Sequence, residues 1–261
     1  ATMQQIAAEM NFSESTFVLS RPESDGGYRM RIFTPSREIE FTGHPLLGTA
    51  WVVRRYLAAG LPRQVQLNTP VGPVMVSFDE DEQGEEVVWF TAPDMSLGAV
   101  APPEPVAAAL GLQPEDIDTR TPVQVVSAGT SAMMVPVKSL AALRRSSLNL
   151  DMFADLLAKG FPPLLYVHTR ETIADNNDLC VRFFFDAHGV REDPATGNGA
   201  AFFGAYLLQH NVEGGDISLR IEQGHEVRRP SLILLQAATK GGLPYVRVGG
   251  HVVPTVSGEL Q

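Results

Sequence analysis

Cysteine is almost absent from this sequence, with Cys180 alone among 261 residues. A single cysteine cannot form an internal disulfide, and without clustered partners it forms no thiolate metal site. Cys180 lies in the apolar run Leu179-Cys180-Val181, which predicts a buried packing residue. The histidines show no metal-ligand spacing, so we expect no bound metal ion.

Positive charge and long hydrophobic runs are also scarce. Lys and Arg total 20 against 30 Asp and Glu, for a formal net charge of −10. This acidic balance repels phosphate backbones, so we expect no nucleic-acid partner. The apolar runs are interrupted well short of the roughly 18 residues that a membrane helix needs, and no basic-then-apolar signal segment opens the chain. We therefore expect a cytoplasmic protein without a membrane partner.

A complete dinucleotide-binding loop is missing as well. Gly197, Gly199 and Gly204 superficially resemble a Gly-rich phosphate loop, but the third glycine is misplaced and no strand-then-acid context follows. The sequence therefore predicts no nicotinamide cofactor, and we expect no other cofactor.

What the chain does contain is 44% hydrophobic and 19% charged residues, a composition suited to a sizeable core. Strand-like runs dominate and few alternate with helices, which disfavours a doubly wound parallel sheet. A Pro-, Gly- and Ala-rich stretch at 92–105 predicts a linker. We therefore expect an N-terminal lobe at 1–98 and a C-terminal lobe at 99–261, with the last residues able to return to the first lobe.

An internal repeat is the most informative pattern. Arg31-Ile32-Phe33 leads through a polar turn to Thr42-Gly43-His44 and a helix-like run. Arg182-Phe183-Phe184 leads in the same way to Thr196-Gly197-Asn198 and a second run. The simplest interpretation is an α+β fold of two similar lobes, each a curved, mostly antiparallel sheet wrapped around one central helix.

The two central helices are predicted over 45–59 and 198–210, and their apolar surfaces indicate burial. A helix N-terminus offers free N–H groups and a partial positive charge, which favour anions. Two such helix starts facing each other would form a cleft suited to a small carboxylate.

Four segments occur in order along the chain: EMNFSESTFVL, EFTGHPLLGTA, EDPATGNGAAFFGAYL and QGHEVRRPS. Together they resemble the PhzF-like family of phenazine biosynthesis, from residue 3 to the C-terminus. The resemblance implies a fold related to diaminopimelate epimerase, with the active site between two similar lobes. It also implies a cofactor-independent isomerase that forms a homodimer.

Site residues are carried over from this resemblance position by position. The family's acid/base glutamate falls on Glu14 in NFSES, its cleft histidine on His44 in TGHP, and its cleft aspartate on Asp193 in EDPATG. Outside this context, Glu14 would be an ordinary surface carboxylate, and His44 and Asp193 would be helix-cap residues. The further substrate-binding positions that the resemblance implies are Ser13, Gly43, Gly197 and Asn198.

The chain departs from the family pattern in places. Asn198 stands where the family commonly has a serine, which leaves the substrate open. The chain begins within the helix that leads to Glu14, so we expect the first strand of that lobe to be absent. Related amino-acid epimerases use a thiol at each helix start, where this chain has His44 and Asn198, so two-thiol racemisation is not available.

A carboxylate beside an aspartate and a histidine can still move protons, because burial and like charge raise a carboxyl pKa toward working pH. The expected function is proton movement between carbons of a small cyclic carboxylic acid, as in trans-2,3-dihydro-3-hydroxyanthranilate isomerisation. Two alternatives stay open: a non-catalytic binder of small carboxylates, and an epimerase that uses carboxylates alone. We expect Glu14, His44 and Asp193 to share one pocket.

Overall fold

The computed structural model describes residues 2–19, 22–40, 42–187 and 190–259. The chain forms two compact units, an N-terminal unit (Ala1–Thr91 with Gly249–Gln261) and a C-terminal unit (Ala92–Val248). The helices are α1 (Thr2–Met10), α2 (Gly43–Val52), α3 (Pro103–Ala109), α4 (Leu140–Arg145), α5 (Leu150–Ala158) and α6 (Gly197–Gln209). None of the helices in the described ranges is long and apolar enough to cross a membrane.

Strands outnumber helices, as the sequence predicts. In the N-terminal unit they are β1 (Ser15–Val18), β2 (Tyr28–Phe33), β3 (Glu38–Ile39), β4 (Gln64–Thr69), β5 (Gly72–Glu80) and β6 (Glu86–Thr91). Those that follow are β7 (Ser96–Val100), β8 (Gln124–Ala128), β9 (Thr130–Pro136), β10 (Leu165–Thr169), β11 (Leu179–Ala187), β12 (Val190–Asp193), β13 (Ile217–Gln223), β14 (Ser231–Lys240) and β15 (Leu243–Gly250). The α+β fold class is therefore confirmed.

The sheet of the N-terminal unit has the order β1-β2-β4-β5-β6, with β3 paired to β2. The pairs β1–β2, β2–β3, β4–β5 and β5–β6 are antiparallel, and β2 pairs with β4 in parallel. Helix α2 packs against β1, β4, β5 and β6. Because these strands span the whole order, the sheet curves around the helix, which buries Leu46, Leu47 and Ala50 against it.

The C-terminal unit repeats this plan with more strands, in the order β7-β8-β9-β10-β11-β13-β14-β15, with β12 paired to β11. Parallel pairing occurs between β9 and β10 and between β11 and β13. Helix α6 packs on β8, β9 and β14, and all residues from Gly199 to Leu207 are buried. The sheet therefore curves around α6, as the repeat predicts.

Both faces of this second sheet are covered. Leu165 and Val167 of β10 pack in an apolar cluster with Val106 of α3 and Phe153 of α5. The alternate residues, Tyr166 and His168, lie against Phe203 of α6. Strand β10 is thus buried along its length, including its polar residues His168 and Thr169.

The internal repeat corresponds to a repeated hairpin before each central helix, β2–β3–α2 and β11–β12–α6. In the first hairpin, Nε and Nη2 of Arg31 donate to the two carboxylate oxygens of Glu38 at 2.7 and 2.5 Å. In the second, the same atoms of Arg182 donate to Glu192 at 3.0 and 2.5 Å. Each arginine also lies over an aromatic ring two residues later, at 5.0 and 4.6 Å from the centroid.

Two details differ from the sequence predictions. The helix predicted over 45–59 is α-helical only to Val52 and continues as a π-helical turn (Val53–Leu57), and its end is exposed at Tyr56. The helix is therefore buried on one face, whereas α6 is buried along its middle. The predicted linker at 92–105 contains β7, which pairs antiparallel with β8.

Candidate active site

The segment between α1 and β1 positions the glutamate. Helix α1 ends at Met10, and Asn11 takes a left-handed conformation with φ 52°, which Asn tolerates better than most residues. The N–H of Asn11 still donates to the Ala7 carbonyl at 3.1 Å. The chain then turns into β1 at Ser15, so Ser13 and Glu14 occupy the short connection between a helix and a strand.

Glu14 meets His44 within the N-terminal unit. Oε2 of Glu14 lies 3.0 Å from Nε2 of His44. The Glu14 side chain is 17% exposed and that of His44 is 44% exposed. His44 lies in the first turn of α2 next to Gly43, and the side chain of the N-cap residue Thr42 does not cap the helix. The predicted pair of Glu14 and His44, with Ser13 and Gly43, is therefore brought together.

The ionisation of Glu14 differs from the prediction. Burial raises the pKa of Glu14, but the contact with His44, the charge of His44 and a hydrogen bond from Ser13 outweigh it. The net result is a pKa below the ordinary glutamate value. The expectation that burial and like charge raise the carboxyl pKa is wrong for this residue. Glu14 is a carboxylate at neutral pH, ready to accept a proton.

The second group of predicted residues lies at the start of α6. Asp193 is the last residue of β12, and α6 begins at Gly197 after the N-cap residue Thr196. The Thr196 hydroxyl donates to Oδ2 of Asp193 at 2.6 Å instead of capping the helix. Asn198 occupies the first turn, and its buried Oδ1 accepts no hydrogen bond from the residues that the structure describes.

Gln223 was missed by the sequence analysis. It is fully buried at the end of β13, and its side chain bonds both Asp193 and Thr196. The available signal was its place at the start of the QGHEVRRPS segment, which was used for the resemblance and not for the site.

The structure therefore places Ser13, Glu14, Gly43 and His44 together in one unit, and Asp193, Gly197 and Asn198 together in the other. The pocket that joins Glu14 and His44 to Asp193 stays a prediction. Among the residues in the described ranges, no group of three or more His, Cys, Asp or Glu is arranged to hold a metal ion.

Cys180 is a buried packing residue, as predicted. Burial is the main reason that the pKa of its thiol is raised to about 12, with the carboxylates of Glu222 and Glu226 adding to it. A thiol with this pKa is protonated at neutral pH and therefore a weak nucleophile and a weak base.

Comparison with known proteins places these residues in a family context. The sequence profile of the family described as phenazine biosynthesis-like protein (PhzC-PhzF) matches residues 1–258. An uncharacterized isomerase of Mesorhizobium japonicum is 34% identical over 266 residues, covering 99% of this chain and 88% of that protein. The trans-2,3-dihydro-3-hydroxyanthranilate isomerase of Pseudomonas aeruginosa is 34% identical over 247 residues, covering 92% of this chain and 80% of the relative.

Solved structures agree on the fold. The Bacillus anthracis phenazine biosynthesis protein of the PhzF family superposes with a TM-score of 0.86 at 27% identity, covering 96% of this chain and 85% of that one. A probable proline racemase from Agrobacterium radiobacter gives a TM-score of 0.59 at 13% identity, covering 91% and 73% of the two chains. The second likeness concerns the fold alone, and it supports a diaminopimelate-epimerase-like architecture.

Proposed function

The chain belongs to the phenazine biosynthesis-like family and is an isomerase, and from that premise we propose that it moves a proton between carbons of a small cyclic carboxylic acid without a cofactor. The proposed reaction is of the trans-2,3-dihydro-3-hydroxyanthranilate isomerase type, after the Pseudomonas aeruginosa relative. Glu14 is the proposed proton carrier, and His44 and Asp193 are the proposed orienting groups.

The contact between Glu14 and His44 carries this proposal. A mostly buried carboxylate held 3.0 Å from an imidazole can take a proton from an activated carbon while the imidazole keeps it aligned. Because the pKa of Glu14 is lowered, the resting residue is a carboxylate, and the proposed first step is removal of a carbon proton by it. Glu14 then holds that proton as a neutral acid and returns it to a second carbon of the same substrate.

Substrate binding is assigned to the two helix starts. In neither α2 nor α6 does the N-cap threonine use its side chain to cap the helix, so the partial positive charge of each first turn can attract a carboxylate. The buried Oδ1 of Asn198 suits a hydrogen-bond donor on the substrate, such as an amino or hydroxyl group. Asp193 adds a negative charge that would favour a cationic or hydrogen-bonding group.

The proposal predicts that Glu14→Gln abolishes isomerisation while substrate binding stays nearly intact, because glutamine keeps size and hydrogen bonding but cannot accept the proton. Loss of general acid–base help costs about 10²–10⁴-fold, and loss of the only proton carrier costs more. The measurement is carbon-bound deuterium incorporation in D₂O, followed by NMR with trans-2,3-dihydro-3-hydroxyanthranilate and with other small cyclic acids.

Glu38→Gln is the matched control, because Glu38 lies in the same unit but pairs with Arg31 on an exposed hairpin. It should exchange at the wild-type rate. Exchange by Glu14→Gln at the wild-type rate would show that Glu14 is not the proton carrier. Exchange confined to one carbon, with inversion and no double-bond shift, would indicate the carboxylate-based epimerase. Binding of the acid without exchange by the wild type would indicate the non-catalytic binder.

A further inference from the structure

We propose that Gln223 is a positioning residue for this isomerase, holding Asp193 and the first residues of α6 in one arrangement. The inference rests on the function proposed above, because Asp193 and Asn198 belong to the proposed substrate-binding set. Gln223 does not touch the reacting atoms in this proposal. It acts through the turn that joins β12 to α6.

The Gln223 side chain makes three hydrogen bonds to this turn. Nε2 donates to the carbonyl oxygen of Asp193 at 2.7 Å and to the hydroxyl of Thr196 at 3.0 Å. Oε1 accepts the backbone N–H of Thr196 at 3.2 Å. These partners settle which end of the amide is nitrogen, because only the NH₂ group can donate to a carbonyl and only the oxygen can accept an N–H.

The bonds form a directed chain that ends on the Asp193 carboxylate. Since Nε2 of Gln223 donates to the Thr196 hydroxyl, that hydroxyl uses its own hydrogen on Oδ2 of Asp193, at 2.6 Å. The same amide therefore orients the carboxylate, through one hydroxyl, and anchors the backbone from which α6 begins. Bonds in such a chain strengthen one another in a buried setting.

The residue after Gln223 allows the end of β13 to lie close enough to the β12–α6 turn for these hydrogen bonds to form. Gly224 has φ +85°, and a Cβ there would lie 2.3 Å from the Arg229 carbonyl oxygen and 2.6 Å from that of Pro194. No side chain fits in that space. The backbone of β13 therefore runs directly against the turn, and the short reach of one glutamine amide spans it.

The proposal is tested with Gln223→Leu, which keeps the volume and removes all three bonds, and Gln223→Glu, which keeps the size and removes the donor. Displacement of a binding group by about 1 Å can cost about 10²-fold in rate. We expect kcat/KM for trans-2,3-dihydro-3-hydroxyanthranilate to fall by about 10²-fold in Gln223→Leu. If that variant fails to fold, the same measurements are made on Gln223→Glu.

Gln124→Leu is the matched control. The amide of Gln124 also joins two partners, the Gly98 carbonyl and His210, which directly follows the other end of α6. We expect Gln124→Leu to keep kcat/KM close to wild type, and to lower Tm less than Gln223→Leu because the Gln124 amide is only partly buried.

Two further readouts separate positioning from folding. In a double-mutant cycle, Gln223→Leu should cost much less in an Asp193→Ala background, because the two residues act as one unit. Amide hydrogen exchange by NMR should show faster exchange at Thr196 in Gln223→Leu, with Ala205 in the middle of α6 unchanged. Additive losses of kcat/KM, or unchanged exchange at Thr196, would overturn the proposal. A wild type that turns over no probe, with Thr196 exchange still accelerated, would count against the proposed function alone.

Discussion

Glu14 is a carboxylate whose ionisation is decided by its neighbours more than by its burial. Burial alone raises its pKa, while His44 and Ser13 lower it further than burial raises it. His44 lowers this pKa both through its contact with the carboxylate and through its charge. At the scale of single residues, His44 therefore sets the pH at which Glu14 becomes available as a base.

His44→Ala should move the acid limb of the pH profile of kcat/KM to higher pH. The variant removes the contact and the charge that lower the pKa of Glu14 and leaves the burial that raises it, so the carboxylate forms only at higher pH. The profile is measured by isomerisation of trans-2,3-dihydro-3-hydroxyanthranilate across pH, since kcat/KM reports the ionisation of the free enzyme. His251→Ala, at a partly exposed histidine of the same unit, is the control and should leave the limb in place.

At the scale of elements, the two repeated hairpins contain the same arginine–glutamate pair in different environments, so the two pairs should contribute differently to stability. The Arg31–Glu38 pair on β2–β3 has side chains 40% and 36% exposed, whereas those of Arg182 and Glu192 on β11–β12 are 9% and 7% exposed. Arg182 also donates from Nη1 to the Ser146 carbonyl at 2.6 Å, beyond the end of α4. The buried copy therefore ties its hairpin to the end of α4 through a carbonyl oxygen, whereas Nη1 of the exposed Arg31 reaches α1 at the weaker acceptor Sδ of Met3, at 3.9 Å.

Arg182→Leu should lower the free energy of unfolding by about 3–5 kcal/mol, because it leaves the buried Glu192 carboxylate without its partner. Arg31→Leu should leave stability nearly unchanged, since exposed ion pairs contribute little. Urea unfolding of both variants provides the comparison. Equal losses in the two would show that burial of the second pair does not determine its contribution.

Glycine has opposite roles in the two central helices. A Cβ on Gly199 of α6 would lie 2.5 Å from Cδ2 of the fully buried Tyr166, while one on Gly48 of α2 would meet no atom within 4 Å. Gly199→Ala should therefore destabilise the protein by about 1–3 kcal/mol through overpacking. Gly48→Ala should stabilise it by about 0.5–1 kcal/mol, because alanine is the better helix former. Thermal unfolding of the two variants tests this, and stabilisation by both would show that Tyr166 can move aside.

At the scale of the whole molecule, the buried cluster between β10 and α6 makes stability depend on pH. His168 is 8% exposed and lies 4.5 Å from the Phe203 ring, centroid to centroid. Burial, with a smaller contribution from the charge of Arg170, lowers its pKa to about 3. The folded protein therefore keeps His168 neutral at pH values where the unfolded chain protonates it.

The sign of the effect follows from that difference in pKa. Below the unfolded value of about 6.5 the unfolded state binds one more proton than the folded state, so stability falls as the pH falls toward 3, by about 1.4 kcal/mol per pH unit for this group. His168→Phe should flatten the decline of unfolding free energy between pH 6.5 and 5. Urea unfolding at several pH values measures the slope, and identical slopes in the two proteins would contradict the assignment.

The homodimer that the family resemblance implies is tested separately, by light scattering on the wild-type protein.

Much of the fold and of the candidate site was predictable because their signals are local. The apolar period of α6, the strand run of β11 and the Thr-Gly pair before each central helix are all contained within short windows. The resemblance, carried by four short segments, located Glu14, His44 and Asp193. Strand β7 escaped prediction because its residues are almost all exposed, so it has no inward-facing alternation and is defined by its pairing with β8.

What the tertiary structure alone decided depends on contacts between residues distant in the chain. Glu14 and His44 come together only because α2 packs against β1, and the influence of His44, added to that of the neighbouring Ser13, reverses the direction that burial alone implies for the pKa of Glu14. Gln223 meets Asp193 across 30 positions, through a parallel pairing of β11 with β13 that no local pattern encodes. The sequence by itself thus determined the elements and the chemical groups, because periodicity and motifs are local. The charge state of Glu14 and the hydrogen bonds from Gln223 that hold Asp193 in place depend on packing between residues that are far apart in the chain.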